Sequence, residues 1–437
     1  MALPAAVNLS NTVDDSLFAS LGVNGETLTV MWVEGNAPAT NIFMARSLNS
    51  GVTWSVPVNL TNQPGPSEEY DWGFAGRYYF LVWAGQPGGN WDVFFERSTD
   101  GGVTFVAKNL SVNSGDSRRP RVALSGGSNV YVVWEDNTGS GYGEILFRRS
   151  MDAGATFGPV VNLSNTGAPS QEPSIIAFGP HAYVLWTEGA PGFQDVFIRH
   201  STDGGTTFGA AVNVSATSMV GSYLPAMAIA GPTVAVVWTE GNYRIVPEIM
   251  FRASANGGAT FGAATNVSNT GNPGGNPITG IRKIARAMLS GTFVLVLWQD
   301  APYAGGSEVL FRRSTDGGGA WETAKNLSST AAYDSEEPSW TLAGTHLSVV
   351  WIDPYPEGLP NVLYRRSPDA GKTFNSTLNL TASSFGTSQN PQIVAVGRDV
   401  FAAWSAGNPR RDIYFAKTTG GFADLPPGAG GWAGGTN

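Results

Sequence analysis

Short apolar runs that end in a tryptophan recur along the whole chain, with "VYVVW" and "VAVVW" as typical examples. The tryptophans are 51, 51, 52, 52, 60, 53 and 53 residues apart, at Trp32, Trp83, Trp134, Trp186, Trp238, Trp298, Trp351 and Trp404. A glycine stands seven residues before each tryptophan. Repetition with a constant period predicts one structural unit used eight times, with an insertion around residues 272–280 in one copy.

Each unit has the pattern of four short strands, A to D. In the fourth copy these are residues 173–179, 181–186, 195–201 and 210–215. Turn-rich segments separate them, and no helical period is sustained. Strands that are apolar on both faces must be covered on both faces. The sequence therefore predicts an all-β, eight-bladed β-propeller over residues 1–422, followed by a flexible Gly/Pro-rich tail at 423–437.

A second repeated phrase joins strands C and D. It reads "STDGGTTF" at 201–208, with close copies at 98–105, 150–157, 254–261, 314–321 and 367–374 and a looser one at 47–54. Gly205 permits the positive φ of a tight turn, and Asp203 can accept hydrogen bonds from the amides of that turn. We expect Phe208 to pack into its own blade.

This phrase resembles the Asp-box of sialidase-type (BNR) repeats, Ser-x-Asp-x-Gly-x-Thr-Trp/Phe, and the resemblance covers essentially the whole folded chain. It implies hairpins with a structural role, on the side of the propeller away from the active site. Catalytic sialidases of that family have six blades, an arginine triad and a Phe/Tyr-Arg-Ile-Pro motif. Here the nearest string is "YRIVP" at 243–247, in a chain of eight units, so the match to catalytic sialidases is not close.

The two ends of the chain complement each other. The eighth unit stops after "DIYFAKTTGGF" at 412–422 without a strand D. The first residues, "ALPAAVNLS", begin where such a phrase ends, and Asn8 has the spacing of the strand-D asparagines. We therefore predict that the N-terminal strand completes the last blade and closes the ring, which removes an open sheet edge.

Composition excludes several classes of function. A net charge of -9 and a pI near 4.9 disfavour nucleic acid and anionic membranes as partners. Without cysteine there are no disulfides or thiolate metal sites, and the three histidines (His181, His200, His346) look too scattered for a zinc or copper centre. No apolar run is long enough to span a membrane. We expect a secreted or cell-surface protein whose signal peptide is absent from this sequence.

Candidate binding residues lie in Ser-x-x-Pro segments just before strand A, at 67–70, 117–120, 170–173, 222–225, 335–338 and 388–391. Strand A is innermost in a propeller, so the middle residues should surround the mouth of the channel. The candidates there are Glu68, Glu69, Arg118, Arg119, Glu172, Tyr223, Glu336 and Glu337. The arginine pair can bind a carboxylate of a ligand. Alternatively, it pairs with the neighbouring Glu68 and Glu69.

Two further sets recur in or near the B–C loops. Acids stand two residues after six of the tryptophans, at Glu34, Asp136, Glu188, Glu240, Asp300 and Asp353. They either cap the B–C turn or form a carboxylate ring that binds Ca²⁺, the one cofactor the sequence suggests. Aromatic residues stand at Trp91, Tyr142, Phe193, Tyr243, Tyr303 and Tyr355. They can stack on sugar rings or pack between neighbouring loops.

These features favour a binding propeller, secreted or on the cell surface, that recognises a glycan or protein ligand through the face bearing the B–C and D–A loops. The first alternative is a sialidase-like glycoside hydrolase or a polysaccharide lyase on the same scaffold. The second is a structural component of a surface assembly. No metal site and no membrane insertion are expected, and the residues leave the oligomeric state open.

Overall fold

The computed structural model describes residues 6–36, 38–138, 141–217, 220–242, 245–269, 285–300, 306–330, 333–354, 358–381 and 386–418. These residues form eight four-stranded antiparallel sheets, and within the described ranges no helix is long and apolar enough to cross a membrane. The sheets are the blades of a β-propeller, which confirms the predicted fold class.

The strands of the first four blades follow each other in chain order. Blade 1 contains β2 (Ser16–Asn24), β3 (Thr27–Asn36), β4 (Ala39–Ser47) and β5 (Val58–Asn59). Blade 2 contains β6 (Ser67–Ala75), β7 (Tyr78–Gly85), β8 (Asp92–Ser98) and β9 (Val106–Asn109). Blade 3 contains β10 (Ser117–Ser125), β11 (Asn129–Asp136), β12 (Glu144–Ser150) and β13 (Val161–Asn162). Blade 4 contains β14 (Ser170–Phe178), β15 (His181–Glu188), β16 (Asp195–Ser201) and β17 (Val212–Asn213).

The other four blades follow the same order until the last, which takes its outer strand from the start of the chain. Blade 5 contains β18 (Gly221–Ala230), β19 (Thr233–Asn242), β20 (Ile245–Ser254) and β21 (Thr265–Asn266). Blade 6 contains β22 (Ala285–Ser290), β23 (Phe293–Asp300), β24 (Glu308–Ser314) and β25 (Lys325–Asn326). Blade 7 contains β26 (Glu336–Ala343), β27 (His346–Asp353), β28 (Asn361–Ser367) and β29 (Leu378–Asn379). Blade 8 contains β30 (Thr387–Val396), β31 (Asp399–Gly407), β32 (Asp412–Thr418) and β1 (Val7–Asn8).

The strands belong to two compact units. One comprises Met1–Pro64, Leu297–Phe311 and Ala324–Asn437, and the other comprises Gly65–Val296 and Arg312–Thr323. Within each unit, apolar cores lie between neighbouring blades. In the second unit one core joins blades 2 and 3 through Phe80, Phe95, Val132 and Trp134. All eight strand-B tryptophans are fully buried, as expected for strands that are covered on both faces.

The repeated "STDGGTTF" phrase forms a turn closed by its own side chains, which we call the box turn. In the copy at 201–208, Ser201 Oγ donates to Asp203 Oδ1 over 2.8 Å and accepts from Gly205 N over 2.8 Å. Asp203 Oδ1 also accepts from the amides of Thr206 and Thr207, both at 2.9 Å. Gly205 has φ 75°, so the predicted turn chemistry is present.

The aromatic residue of the box turn lies between two blades. Phe208 packs against the core formed by blades 3 and 4, and its ring contacts Phe147 of the preceding blade edge to face, with centroids 5.0 Å apart. Gly205 lies against the same ring, since a Cβ there would stand 2.9 Å from Phe147. Phe157 contacts Phe95 in the same way one blade earlier. The box turn therefore joins blades as well as strands.

We expect Asp203→Ala to lower the thermal midpoint and Asp203→Asn to leave it nearly unchanged. Asn49 and Asn256 occupy the same position in other blades and accept the corresponding threonine amides at 2.9 and 3.0 Å. Hydrogen bonds from Thr207 hold the pKa of Asp203 well below its usual range. The stabilisation by its carboxylate is therefore present above the ordinary aspartate pKa and is lost as the pH falls towards the lowered value. Melting curves of both variants at neutral and acidic pH test this, and equal midpoints for the two variants would contradict it.

Candidate functional site

In seven of the eight blades the inner strand begins with the same irregularity, which the sequence pattern did not predict; in blade 6 the residues before Ala285 lie outside those the structure describes. Each Ser-x-x-Pro segment begins within one residue of the start of its strand, and a β-bulge follows its second residue, as it follows Leu17 in blade 1. The third residue adopts positive φ, between 49° and 57°, at Phe18, Glu69, Arg119, Glu172, Leu224, Glu337 and Asn390. This conformation is uncommon for residues other than glycine. The positive φ moves the third residue out of the hydrogen-bonded ladder between strands A and B.

The displaced residues connect neighbouring blades. In three places a glutamate at the third position accepts the backbone N–H of the third residue in the next blade. The pairs are Arg119 N to Glu69 Oε2 at 2.9 Å, Leu224 N to Glu172 Oε2 at 3.0 Å, and Asn390 N to Glu337 Oε2 at 2.5 Å. These three carboxylates therefore link the inner strands of neighbouring blades, in addition to any role in binding.

Arg118 lies between acids and an aromatic ring. Its Nη2 is 3.1 Å from Glu69 Oε1 and 3.9 Å from Glu68 Oε2. The guanidinium carbon also lies 4.0 Å from the centre of the Trp91 ring. Arg118 remains about one-third exposed. For Arg118, the geometry therefore agrees with the alternative expectation, in which the arginines pair with Glu68 and Glu69.

Arg119 pairs with a residue that the sequence pattern did not single out. Its Nη1 donates to both oxygens of Glu135, at 2.9 and 2.8 Å. Glu135 also accepts the backbone N–H of Glu172. Burial raises the pKa of Glu135, and the neighbouring charge of Arg119 opposes that rise. The one sequence signal for Glu135 is an acid directly after Trp134, where the other blades have uncharged residues.

Three more ionisable residues lie next along the same strands. Asp71 Oδ2 accepts the backbone N–H of Val122 at 3.0 Å. Burial raises the pKa of Asp71, and Arg121 lowers it. Burial also raises the pKa of Tyr70. We call Glu68, Glu69, Trp91, Arg118, Arg119, Glu135 and Glu172 the Arg118 cluster; Tyr70, Asp71 and Arg121 lie beside it.

The other predicted candidates are not part of this cluster. Tyr223 is half-buried, and its hydroxyl would be 2.3 Å from a Cβ added to Gly221. Glu336 and Glu337 belong to the other compact unit and are exposed. Although Glu336 is exposed, partial loss of solvent around its carboxyl raises its pKa, and so do the charges of Asp334 and Glu337.

The three described aromatic residues of the B–C loops differ in exposure. Trp91 is half-buried under Arg118, whereas Tyr142 and Phe193 are 51% and 63% exposed. The remaining three, Tyr243, Tyr303 and Tyr355, lie outside the described residues. Exposed rings beside polar groups can stack on flat apolar faces of a ligand.

The acids two residues after the tryptophans are held by their own blades. Glu34 accepts from Trp32 Nε1 at 3.0 Å and from Ser16 Oγ at 3.3 Å. Asp136, Glu188 and Glu240 also accept from their own tryptophans. Bonds from serine, which Asp136 and Glu188 accept from Ser117 and Ser170 as Glu34 does from Ser16, fasten strand B to the first residue of strand A. Among the described residues no three His, Asp or Glu side chains are grouped as metal ligands would be; the Ca²⁺ ring stays a prediction.

Phe18 is a further candidate binding residue, which the sequence pattern did not indicate. It is the third residue of "SLFA" at 16–19, which aligns with the Ser-x-x-Pro segments but lacks their proline. It combines φ 56° with 57% exposure, an unusual state for a large apolar side chain. Aligning the first blade with the others would have identified it.

Comparisons with known proteins support the fold of this chain and do not assign it a function. No family model and no curated protein matches the sequence. Among solved structures, the polysaccharide lyase Uly1 is 11% identical, with 92% of this chain and 89% of that chain covered and a TM-score of 0.53. A PL25 ulvan lyase bound to -[GlcA(1-4)Rha3S]- is also 11% identical, with 96% and 95% covered and a TM-score of 0.50. The chain shares their β-propeller fold.

Proposed function

We propose that this protein binds glycans through the Arg118 cluster. The observation that carries the proposal is the partly exposed Arg118 side chain, fixed between Glu69 and the face of Trp91. A ring face beside fixed planar donors and acceptors suits a sugar, whose C–H face stacks while its hydroxyls form hydrogen bonds. Carbohydrate-active propellers of similar fold support this choice of ligand.

The charges of the cluster suggest which glycans to try first. Four carboxylates (Glu68, Glu69, Glu135, Glu172) stand against two arginines, and both guanidinium groups already contact acids. An anionic sugar would have to displace these acids. Neutral sugars and amino sugars meet no such competition, so we expect them to bind better.

Trp91→Ala is expected to weaken glycan binding at least tenfold, because it removes the ring that holds the Arg118 guanidinium in place. Trp91→Phe should retain most of the affinity. Binding is measured by titration with oligosaccharides selected on a glycan array that includes neutral, amino, sialylated and uronic sugars. Met151→Ala serves as the matched control, because Met151 is 65% exposed on a box turn, at the other end of its blade. Unchanged affinity in a folded Trp91→Ala protein would refute the assignment of the site.

A second candidate function is cleavage of an acidic polysaccharide by a lyase or hydrolase. Burial raises the pKa of Glu135, the carboxyl that pairs with Arg119, and a carboxyl with a raised pKa is a candidate for proton transfer. Uronate polysaccharides and fluorogenic sialosides and aryl glycosides test for it. Formation of an unsaturated product abolished by Glu135→Gln would favour a lyase over a binding protein.

The Asp-box resemblance and the location outside the cell belong to the same proposal. The hydrogen bonds of the box turns support the resemblance, because the repeated Ser and Asp/Asn side chains make the same contacts in blades 1 to 7. A secreted or surface protein would meet the glycans proposed here.

A further inference from the structure

Two of the three histidines meet at the box-turn end of blade 4. His181 Nδ1 lies 2.9 Å from His200 Nε2. The sequence analysis took the histidines to be scattered, and for this pair that expectation is wrong. His181 is the first residue of β15 and His200 is the last but one of β16, two strands that pair along their length. Neither side chain is fully buried.

The two imidazoles are held by packing. The Tyr183 ring stacks on His200 with centroids 3.9 Å apart and an interplanar angle of 8°. The Phe178 ring lies 5.2 Å from His181. These contacts keep the two nitrogens facing each other.

A repeated contact between blades fixes the orientation of His200. At its position three other blades have a cation that donates to a carbonyl in the next box turn: Arg97 to Ala153, Arg149 to Gly204 and Lys417 to Ser50. His200 bonds to the backbone of Gly257, the corresponding residue of blade 5. A ring that uses Nδ1–H for this bond presents its Nε2 lone pair to His181.

We propose that His181 Nδ1 and His200 Nε2 bind one divalent transition-metal ion, such as Zn²⁺, Ni²⁺ or Cu²⁺, in place of the proton they share. Metal–nitrogen bonds of about 2.0–2.1 Å at a tetrahedral angle place two nitrogens about 3.4 Å apart. The pair therefore needs to open by about half an ångström. The bond from His200 to a backbone carbonyl is the orienting contact that metal-bound histidines usually have. Water would complete the coordination.

The groups that face the pair leave His200 Nε2 directed at His181. Tyr183 and the Gly257 turn face the pair, and Arg149, one blade away, contacts Gly204. None of these contacts occupies His200 Nε2.

Calorimetric titration of the tag-free protein with Ni²⁺ and Zn²⁺ at neutral pH tests the proposal. We expect one ion per chain in the wild type and at least tenfold weaker binding in His181→Gln and in His200→Arg. The arginine variant retains the donor to Gly257, as Arg149 does in its own blade, and should therefore keep the fold. His346→Gln is the matched control, because His346 is the first residue of β27, where His181 stands in β15.

Mg²⁺ provides the control for general cation binding, since an imidazole pair has no preference for it. Wild-type affinity for Ni²⁺ in either variant of the pair would overturn the proposal, and so would an equal loss in His346→Gln. A rise in the melting temperature with Ni²⁺ that vanishes in His200→Arg would support it through a separate readout. Neither measurement depends on glycan binding.

Discussion

Removal of residues 1–12 is expected to lower the melting temperature by roughly 5 to 10 °C and to broaden the unfolding transition. These residues supply the outer strand of blade 8. Val7 and Asn8 pair with Phe415 and Tyr414 of β32, and Leu9 N donates to Ile413 O at 2.7 Å. Without them, β32 becomes an open sheet edge.

Side-chain contacts of the same strand add to the effect. Ala6 and Leu9 are each only 6% exposed and belong to the cores on the two sides of blade 8. Ser10 Oγ donates to Asp412 Oδ1 at 2.8 Å, the bond that Ser111 forms with Asp92 in blade 2. The N-terminal strand is therefore attached like an internal strand D. Truncating a buried leucine alone costs about 2–5 kcal/mol.

Scanning calorimetry of the truncated protein measures the loss, and a synthetic peptide of residues 1–12 tests its cause. The peptide added in excess should restore much of the melting temperature, because it can occupy the vacant edge. A scrambled peptide should restore nothing. A truncated protein that melts like the wild type would show that the closure contributes little.

The sequence was sufficient for the features that repeat in every blade. The tryptophan period, the box turns and the position of the N-terminal strand follow from local patterns and from counting, because each blade repeats the same contacts. The strand bounds were less accurate. In blade 4, strand A begins at Ser170 rather than at residue 173, and strand D comprises Val212 and Asn213 only.

The Arg118 cluster could be predicted only in part, because its geometry depends on a backbone conformation that no local pattern announced. The Ser-x-x-Pro segments did not indicate positive φ at Glu69 or Arg119, the conformation that orients the backbone N–H of Arg119 towards Glu69. Glu135 was missed because it stands in strand B. The meeting of His181 and His200 required the register between β15 and β16.

Glu96 differs in charge from the residue that most other blades have at its position, and this difference affects stability. Five blades have an arginine there, at Arg148, Arg199, Arg252, Arg312 and Arg365. Arg148 and Arg252 donate to the carbonyls of Leu110 and Val214, the residues directly after strand D of the preceding blade, at 3.0 and 2.8 Å. A carboxyl group cannot replace a guanidinium group in such a bond when ionised. Glu96 is only 5% exposed, and its Oε2 has no hydrogen-bond partner among the described residues.

Burial raises the pKa of Glu96 from 4.5 to about 8. Below pH 4.5 the side chain is neutral in both the folded and the unfolded protein, and it imposes no pH dependence. Between 4.5 and about 8 the unfolded chain releases the proton while the folded protein retains it, so stability falls as the pH rises. Each unit of difference in pKa corresponds to about 1.4 kcal/mol, so the cost at pH 8 is on the order of 4 kcal/mol. Above the raised pKa the cost stays constant.

Glu96→Gln is therefore expected to match the wild type near pH 4.5 and to exceed its free energy of unfolding by on the order of 4 kcal/mol near pH 8. The amide cannot ionise, so any cost of burying it is the same at both pH values. Denaturant unfolding of the two proteins across this range gives the difference directly. Glu26→Gln, on an exposed turn between β2 and β3, controls for the exchange of a carboxyl for an amide. Parallel stability profiles for Glu96→Gln and the wild type would show that the Glu96 carboxyl is hydrated or paired in the folded protein. A difference in the free energy of unfolding that increases with pH identifies Glu96 as a buried acid at a position where most blades have an arginine.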